Sequence, residues 1–222
     1  MKCWAKDVSP CCGTQSGEHY ISQGLFEDKM IKVTNAPFFR DAEKTVSKKA
    51  LTRNCLCKKH NELLSPYDSE AISFGHALIY CRDLVNSRTT LSAKKFAIHK
   101  KIICYEKLSR WAIKTYLGVA DFFRYESNCE TEFLANLVYS KTPSRNYVKI
   151  DFLMSQDDEL QITQTVAIAP IEKNEKSVGM MIEMYGIQLT VIFADEPIFD
   201  QKQLRLNFMQ GRKVKSCELV IK

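Results

Sequence analysis

Two segments rich in cysteine and histidine carry the residue types that bind zinc. The first contains Cys3, Cys11 and Cys12, and the second contains Cys57 and His60, which are separated by two residues. A Cys-x2-His pair can occupy one turn at the start of a helix, and two further cysteines complete a tetrahedral site. Because Cys11 and Cys12 are adjacent, we expect only one to bind. The sequence therefore predicts a structural zinc site of Cys3, Cys11, Cys57 and His60, with Cys12 as the alternative to Cys11.

The nine cysteines of the chain admit two other interpretations. Disulfide bonds are rare in intracellular proteins, and the N-terminal residues turn polar at once, unlike the apolar stretch of a signal peptide. A nucleophilic Cys–His pair would leave the other clustered cysteines unexplained. No stretch approaches 18 consecutive apolar residues, so we expect no membrane-spanning helix, and the cytoplasm is the expected location.

Composition places the chain among globular proteins of one or two domains. It has 222 residues, of which 45% are hydrophobic, and a net charge of +6. The first 150 residues are basic and residues 151–222 are mildly acidic, which permits a phosphate-bearing partner without requiring one. Only eight glycines are present and no glycine-rich phosphate loop, so nucleotide-driven chemistry is not expected.

Hydrophobic periodicity predicts an α+β fold with more strand toward the C-terminus. Residues 1–66 look rich in loops, and Ser65, Pro66 and Asp68 form a helix start. Helices are expected over 65–86, about 105–119 and about 130–140. A short strand or a hairpin is expected over 95–103, and strands are expected over Tyr147–Leu153, Leu160–Ala169, Val178–Tyr185 and Ile187–Ala194. Gly186 predicts a tight hairpin or a bulge between the last two. We therefore expect a zinc-stabilised front unit, residues 1–90, and a helical then antiparallel β-rich unit, residues 91–222.

The pair Glu18-His19 follows the first cysteine cluster, and an aliphatic strand pattern continues from it. A cysteine cluster, then Glu-His, then Cys57-x2-His60-Asn61 opening a helix, resembles the HNH nucleases, which use a zinc-stabilised ββα-metal finger. The stretches His60–Asp68 and Leu108–Lys114 are similar to a little-characterised bacterial subgroup. The resemblance is specific over residues 3–70, weaker over 104–119, and says almost nothing about 140–222.

The resemblance implies roles for individual residues of this chain. His19 matches the general base that deprotonates the attacking water, a task suited to a neutral imidazole. Asn61 and Glu18 match ligands of a catalytic Mg²⁺ or Mn²⁺, for which oxygen donors are appropriate. The middle asparagine of the motif normally orients the base. Asn54 is the first candidate for that position and Asn35 is the second.

The interval between His19 and Cys57 is long for the family, so residues 26–52 form an expected insertion. Its basic residues could follow a phosphate backbone, although a solvated lysine-rich loop explains them equally well. These residues are Lys29, Lys32, Arg40, Lys44, Lys48 and Lys49. The predicted nucleic-acid contacts are Lys48, Lys49, Lys58 and Lys59. In the later helix, Trp111 and Lys114 are expected to serve as core packing and a solvated charge.

Three functional hypotheses follow from the sequence. The first is a metal-dependent endonuclease that hydrolyses phosphodiester bonds in DNA, with structural Zn²⁺ and catalytic Mg²⁺ or Mn²⁺. The second is a catalytically silent zinc-binding adaptor that binds nucleic acid or a partner protein. The third is a nuclease that is active only within a larger assembly, in which the β-rich, acidic C-terminal region binds the partner or gates the substrate. A protein partner or a second copy of the chain could bind through the C-terminal unit, residues 91–222. None of the three involves a membrane.

Overall fold

The computed structural model describes residues 2–34, 43–86, 97–123, 126–154, 166–199, 204–210 and 215–222. These contain four helices, α1 to α4, at Lys58–Glu62, Ser65–Asn86, Tyr105–Phe123 and Thr131–Tyr139. The first four strands, β1 to β4, are Gln15–His19, Met30–Thr34, Glu43–Ser47 and Thr52–Cys57. The other seven, β5 to β11, are Ala97–Ile103, Val148–Met154, Val166–Lys173, Lys176–Met184, Ile187–Phe193, Leu204–Gln210 and Lys215–Ile221. Helix and strand are mixed, as the α+β prediction requires.

The N-terminal part contains more strand than its loop-like sequence suggests. Strand β1 pairs antiparallel with β4, with His19 opposite Thr52, and the register shifts between Ser16 and Glu18. The expected insertion between them contains a separate antiparallel hairpin, β2–β3. Helix α1 begins directly after β4, with Cys57 as its N-cap. The order of elements is therefore strand, inserted hairpin, strand and helix; whether this unit is a ββα-metal finger stays a prediction.

Two long helices, α2 and α3, form the centre of the molecule. On α2, the expected apolar face is buried at Ala71, Phe74, Leu78 and Cys81. Helix α3 is buried on all sides over 108–119, because it packs among α2, α4 and the C-terminal sheet. At Gly118, α3 approaches the chain just after β1 so closely that a Cβ atom would lie 2.8 Å from Cβ of Tyr20.

A four-stranded antiparallel sheet, in the order β6-β9-β8-β7, confirms the strand-rich C-terminal region. The predicted strand Leu160–Ala169 is observed only from Val166, and residues 160–165 lie outside the described ranges. Tyr185 and Gly186, at φ 53° and 78°, make the tight turn between β8 and β9. Positive φ at both central residues defines a type I′ turn. This turn is common in hairpins because its twist matches the twist of the paired strands.

A smaller sheet, in the order β10-β11-β5, was not predicted in full. The sequence pattern indicated β5 but neither β10 nor β11. Strand β11 runs antiparallel to β10 and parallel to β5, so that Ile103 lies opposite Ile221. More than 100 residues separate these two strands in the chain, and no local pattern specifies such a pairing.

One hydrophobic cluster includes buried side chains from Cys3 to Ile221 and so draws on both predicted units. The boundary predicted at residue 90 lies outside the described ranges, and the division into two domains stays a prediction. Within those ranges, no helix has the combination of length and apolar composition that crossing a membrane requires.

Candidate metal centre and adjoining polar site

The four predicted zinc ligands come together although up to 57 residues separate them. Cys3 and Cys11 lie on the N-terminal loop, which the Trp4 N–H holds beside β4 by donating to the carbonyl of Cys55 at 3.2 Å. Cys57 ends β4 and His60 lies on the first turn of α1, so a strand-to-helix junction presents both. One ligand atom from each of Cys3, Cys11, Cys57 and His60 lies within 4.8 Å of the other three.

The distances among these ligand atoms suit a tetrahedral zinc ion. Nδ1 of His60 lies 3.4 Å from Sγ of Cys3, 4.0 Å from Sγ of Cys11 and 3.2 Å from Sγ of Cys57. Zinc bonds of about 2.3 Å to sulfur and about 2.0 Å to nitrogen place such atoms about 3.5 Å apart. Three thiols and one imidazole are a usual structural donor set. The group could hold a metal ion, which is consistent with structural zinc.

The ring of His60 is oriented by neighbours that are not ligands. Ser9 Oγ lies 2.8 Å from Nε2 of His60, on the ring edge away from the thiols. The Tyr139 hydroxyl donates to the His60 carbonyl at 3.0 Å, and the two rings lie 5.2 Å apart between centroids. A partner at Nε2 fixes the tautomer in which Nδ1 is the free ligand atom.

Cys12 lies outside this group, although it is adjacent to Cys11. Its side chain is exposed, and its Sγ accepts a hydrogen bond from the Lys59 N–H at 3.4 Å. The structure therefore brings Cys11, the favoured alternative, to the other three ligands.

The thiols of Cys57 and Cys11 have pKa values shifted in opposite directions. Burial raises the pKa of the Cys57 thiol, but hydrogen bonds from the His60 and Cys12 backbone N–H groups and from the Cys11 and Cys12 side chains outweigh this and lower it to about 7. The pKa of Cys11 is raised to about 12, by burial first and then by the thiols of Cys3 and Cys57. A zinc ion would reverse the second effect, because it binds thiolates and stabilises their charge.

Of the predicted catalytic residues, His19 and Asn54 lie on the face of the β1–β4 pair to which Gly17 belongs, whereas Asn61 contacts β1 at the Ser16 side chain and the Gly17 carbonyl. Nδ2 of Asn61 donates to Oγ of Ser16 at 2.8 Å and to the Gly17 carbonyl at 3.2 Å. A Cβ atom at Gly17 would lie 3.6 Å from Oδ1 of Asn54. His19 is two residues further along β1, on the same face as Gly17, because side chains alternate along a strand.

His19 has the electrostatic properties of a neutral imidazole. Burial lowers its pKa, the Lys114 charge lowers it further, and the Asp68 charge opposes both. Among the described residues, its Nε2 atom is buried and has no hydrogen-bond partner. A neutral ring with an uncommitted nitrogen can accept a proton.

Glu18 faces the interior, where it contacts a buried lysine. Nζ of Lys114 lies 2.5 Å from Oε1 of Glu18 and 2.6 Å from Oδ1 of Asp68. The pKa of Glu18 is raised to about 7 because burial outweighs the attraction of Lys114, and Asp68 adds to the increase. The resemblance implies that Glu18 contacts a divalent metal ion, whereas the described structure pairs it with an ammonium group. The expectation that Lys114 is a solvated charge is wrong, since its side chain is fully buried.

Three of the four lysines expected to contact nucleic acid have partners within the chain. Lys48 donates to the Phe26 carbonyl at 2.7 Å, and Lys58 lies 3.9 Å from Glu62. Lys59 donates to the Pro10 carbonyl at 3.1 Å. Lys49 is exposed. Asn35, the second candidate for the middle asparagine, and Arg40 lie outside the described residues.

Comparisons with models of protein families, with curated proteins and with solved structures find no match to this chain.

Sequence reasoning missed Ser9 and Lys114. The burial of Lys114 could have been predicted from the sequence. Lys114 lies in the middle of the mostly apolar run Trp-Ala-Ile-Lys-Thr-Tyr-Leu at 111–117, and a helix that is apolar on all sides is buried together with any lysine it contains. Ser9 had no such signal, since nothing in its sequence neighbourhood distinguishes it from an ordinary turn residue.

Proposed function

We propose that the protein is a metal-dependent endonuclease that hydrolyses phosphodiester bonds in DNA. The observation that supports this most is the contact of Asn61 with Ser16 and Gly17 of β1, the strand that ends at His19, beside a four-residue group suited to zinc. Zinc would fix the strand-to-helix junction between β4 and α1, and through it the position of Asn61 against β1. His19, Asn54 and Asn61 are the residues to which the resemblance to the HNH nucleases assigns the base, the asparagine that orients it and a metal ligand.

In this proposal His19 is the general base. A water molecule that reached the ring on opening of this buried position would transfer a proton to it and attack the phosphorus atom, and the bond from phosphorus to the leaving sugar oxygen would break. The lowered pKa of His19 keeps the ring unprotonated at neutral pH, so the acceptor is present before substrate binds. Asn54, next to Gly17, is the candidate for orienting the base, because its amide lies on the same face of the strand pair.

Asn61 is the residue best suited to hold the Mg²⁺ or Mn²⁺ of the proposal. Within the described residues both hydrogen bonds of its side chain come from Nδ2, which leaves Oδ1 as a hard oxygen donor. When bound, such an ion would neutralise charge on the scissile phosphate and on the leaving oxygen. Glu18 does not fit this ligand role in the arrangement described, because Lys114 contacts its carboxylate.

The substrate assignment rests on charge. Lys49, Lys58 and Lys59 are exposed near the β1–β4 pair and α1, and lysines at such positions neutralise phosphates irrespective of base sequence. Lys58 and Lys59 would exchange their contacts within the chain for contacts with the DNA backbone. The strand-rich C-terminal region would select substrate or bind a protein partner or a second copy.

A catalytically silent zinc-binding adaptor is the second candidate, and one observation favours it. The carboxylate of Glu18 is engaged by Lys114, so one of the two metal ligands that the resemblance implies already has a partner in the chain. Such a module would bind nucleic acid or a partner protein without cleaving it.

Plasmid cleavage by the zinc-loaded full chain, with Mg²⁺ or Mn²⁺, distinguishes the two. We expect wild type to nick or cut, and His19→Ala to keep its zinc while losing at least about 100-fold in rate, the scale of general-base catalysis. His76→Ala is the matched control, since His76 is exposed on α2, away from the metal group. Salt-sensitive DNA binding without cleavage, unchanged in His19→Ala, would instead support the adaptor.

A further inference from the structure

We infer that the ammonium group of Lys114 is the resident cation of the site formed by Glu18 and Asp68, and that a divalent ion used by this protein binds without Glu18. The inference rests on the proposed function only in that it concerns the same site beside His19. It changes the set of ligands expected for the divalent ion at that site. Of the two predicted ligands, Glu18 and Asn61, Glu18 is paired with Lys114 instead.

The geometry around Lys114 is that of an enclosed cation site. Its Nζ atom lies 2.5 Å from Glu18 and 2.6 Å from Asp68, and its side chain has no exposed surface. The carboxylate of Glu18 is 4% exposed and that of Asp68 is 26% exposed. The three residues come from α3, β1 and α2, so the cation joins three elements at one point.

Further hydrogen bonds hold Asp68 in place. The Ser22 hydroxyl donates to Oδ1 of Asp68, and the Trp111 indole N–H donates to Oγ of Ser22 at 2.9 Å. Trp111 and Lys114 are three residues apart on α3 and therefore lie on the same side of that helix. One face of α3 thus supplies both the cation and the group that positions one of its carboxylates.

Electrostatics explains why a divalent ion would not displace this lysine from Glu18. An ion bound to Glu18 would separate the carboxylate from Lys114 and leave a fully buried ammonium group with only Asp68 as partner. Removing one member of a buried ion pair is strongly unfavourable, because the remaining charge stays desolvated. Glu18 therefore has a positive partner already.

The consequence for metal binding is specific. Asn61 contacts β1 through Ser16 and Gly17 and does not depend on Lys114, so an ion at Oδ1 of Asn61 would be bound by few protein groups and mostly by water and phosphate. Removing the Glu18 charge should therefore leave the affinity of the protein for this divalent ion unchanged. Removing the Lys114 charge should create a carboxylate site that the natural protein lacks.

Mn²⁺ binding to the zinc-loaded full chain, measured from the electron paramagnetic resonance signal of free Mn²⁺, tests the inference without any cleavage assay. We expect wild type and Glu18→Gln to agree within about twofold, including the case in which neither binds detectably. We expect Lys114→Met to bind Mn²⁺ at least about tenfold more tightly, and Glu18→Gln in that background to remove the gain. Lys107→Met is the matched control, because Lys107 is a half-exposed lysine on the same helix that also pairs with a carboxylate, that of Glu70. A tenfold or larger loss of affinity in Glu18→Gln alone, or no gain in a folded, zinc-containing Lys114→Met, overturns the inference.

A second measurement covers the case in which Lys114→Met does not fold. In ¹⁵N-lysine-labelled wild type, the ammonium resonance that disappears in Lys114→Arg belongs to Lys114. We expect it to stay in place when saturating Mg²⁺ is added and to shift in Glu18→Gln. Its displacement by Mg²⁺ would show that the divalent ion enters the Glu18 site and would overturn the inference. An inactive protein would count against the nuclease proposal but would leave both measurements interpretable.

Discussion

Ser9 Oγ lies 2.8 Å from Nε2 of His60, on the side of the imidazole ring opposite the three thiols. A neutral histidine binds a metal through Nδ1 only when Nδ1 faces the metal and the ring proton is on Nε2. A hydrogen-bond acceptor at Nε2 favours both this orientation and this tautomer. The hydroxyl of Ser9 thus completes the preparation of His60 as a ligand from outside the ligand group.

Replacing Ser9 by alanine should weaken zinc binding without removing a ligand. Loss of such an outer partner typically reduces metal affinity about 10- to 100-fold, and we expect the lower end because one of four ligands is affected. Competition with a chromogenic chelator at pH 7 measures this. Ser47→Ala is the control, because Ser47 is a half-buried serine at the end of β3 whose hydroxyl accepts from the Lys49 N–H and is not a neighbour of His60. Equal affinities for Ser9→Ala and wild type would show that Ser9 does not tune the site.

The adjacent cysteines Cys11 and Cys12 provide the sharpest test of the metal group. Cys11→Ser should lose zinc and much of the folded structure, since structural zinc contributes on the order of 10 kcal/mol to folding of small zinc units. Cys12→Ser should keep its zinc, because the Cys12 side chain is exposed and outside the group. Zinc content per chain and thermal unfolding, measured on both variants, check this. Zinc loss in Cys12→Ser alone would mean that Cys12 is the ligand.

Sequence was sufficient for the metal group because its chemistry is local and restrictive. Few residue types bind zinc, and Cys57 and His60 lie on one helical turn, so their spacing defines half of the site. Spacing could not decide whether Cys11 or Cys12 binds zinc, because the two are adjacent and either could reach the other three ligands. The structure separates them by the direction of each side chain from the N-terminal loop.

The polar site beside His19 could be predicted only in part. The positions of His19 at the end of β1 and of Asn61 directly after the ligand His60 could be located from the order of motifs along the chain. The inner face depends on Lys114 and Asp68, which approach Glu18 from helices that are 96 and 50 residues away in sequence. Such contacts are set by how α2 and α3 pack, and no pattern within one segment encodes them. The strands β10 and β11 were not predicted for the same reason, because β11 pairs in parallel with β5, which is distant in the sequence.

Ionisation of Glu18 should make the protein less stable as pH rises. Its pKa is about 7 in the folded chain, against an ordinary value near 4.5, because burial disfavours the charge. The folded state therefore keeps a proton that the unfolded state has released between about pH 4.5 and pH 7, and stability falls through that window. The expected loss is about 3 kcal/mol at pH 8 relative to pH 4.

Glu18→Gln removes this contribution while keeping the shape of the side chain. The unfolding free energies of wild type and variant are measured by chemical unfolding across pH 4–8. As pH rises, the unfolding free energy of wild type should fall relative to that of the variant. The contribution of His19, whose pKa is lowered and whose effect has the opposite sign, is largely common to both and cancels. Glu62→Gln is the control, because Glu62 is 68% exposed. A pH-independent difference would mean that Glu18 is ionised throughout.

Gly118 and Gly75 are both within long helices, yet alanine should affect them differently. Alanine favours a helix over glycine by about 1 kcal/mol, so the substitution gains stability wherever the added methyl group fits. At Gly118 the new Cβ would lie 2.8 Å from Cβ and 3.3 Å from Cα of Tyr20, and the backbone next to His19 would have to move. At Gly75 the nearest atom is the terminal Cδ2 of Leu25, at 2.7 Å, which a side-chain rotation can relieve.

We expect Gly118→Ala to lower the unfolding free energy by about 1–3 kcal/mol, the usual cost of overpacking, and Gly75→Ala to change it much less. Denaturant unfolding of both zinc-loaded variants gives the comparison. Because Tyr20 directly follows His19, Gly118→Ala should also reduce cleavage where Gly75→Ala does not. Equal stabilities would show that the contact between α3 and the end of β1 is loose, and that α3 does not hold His19 in position.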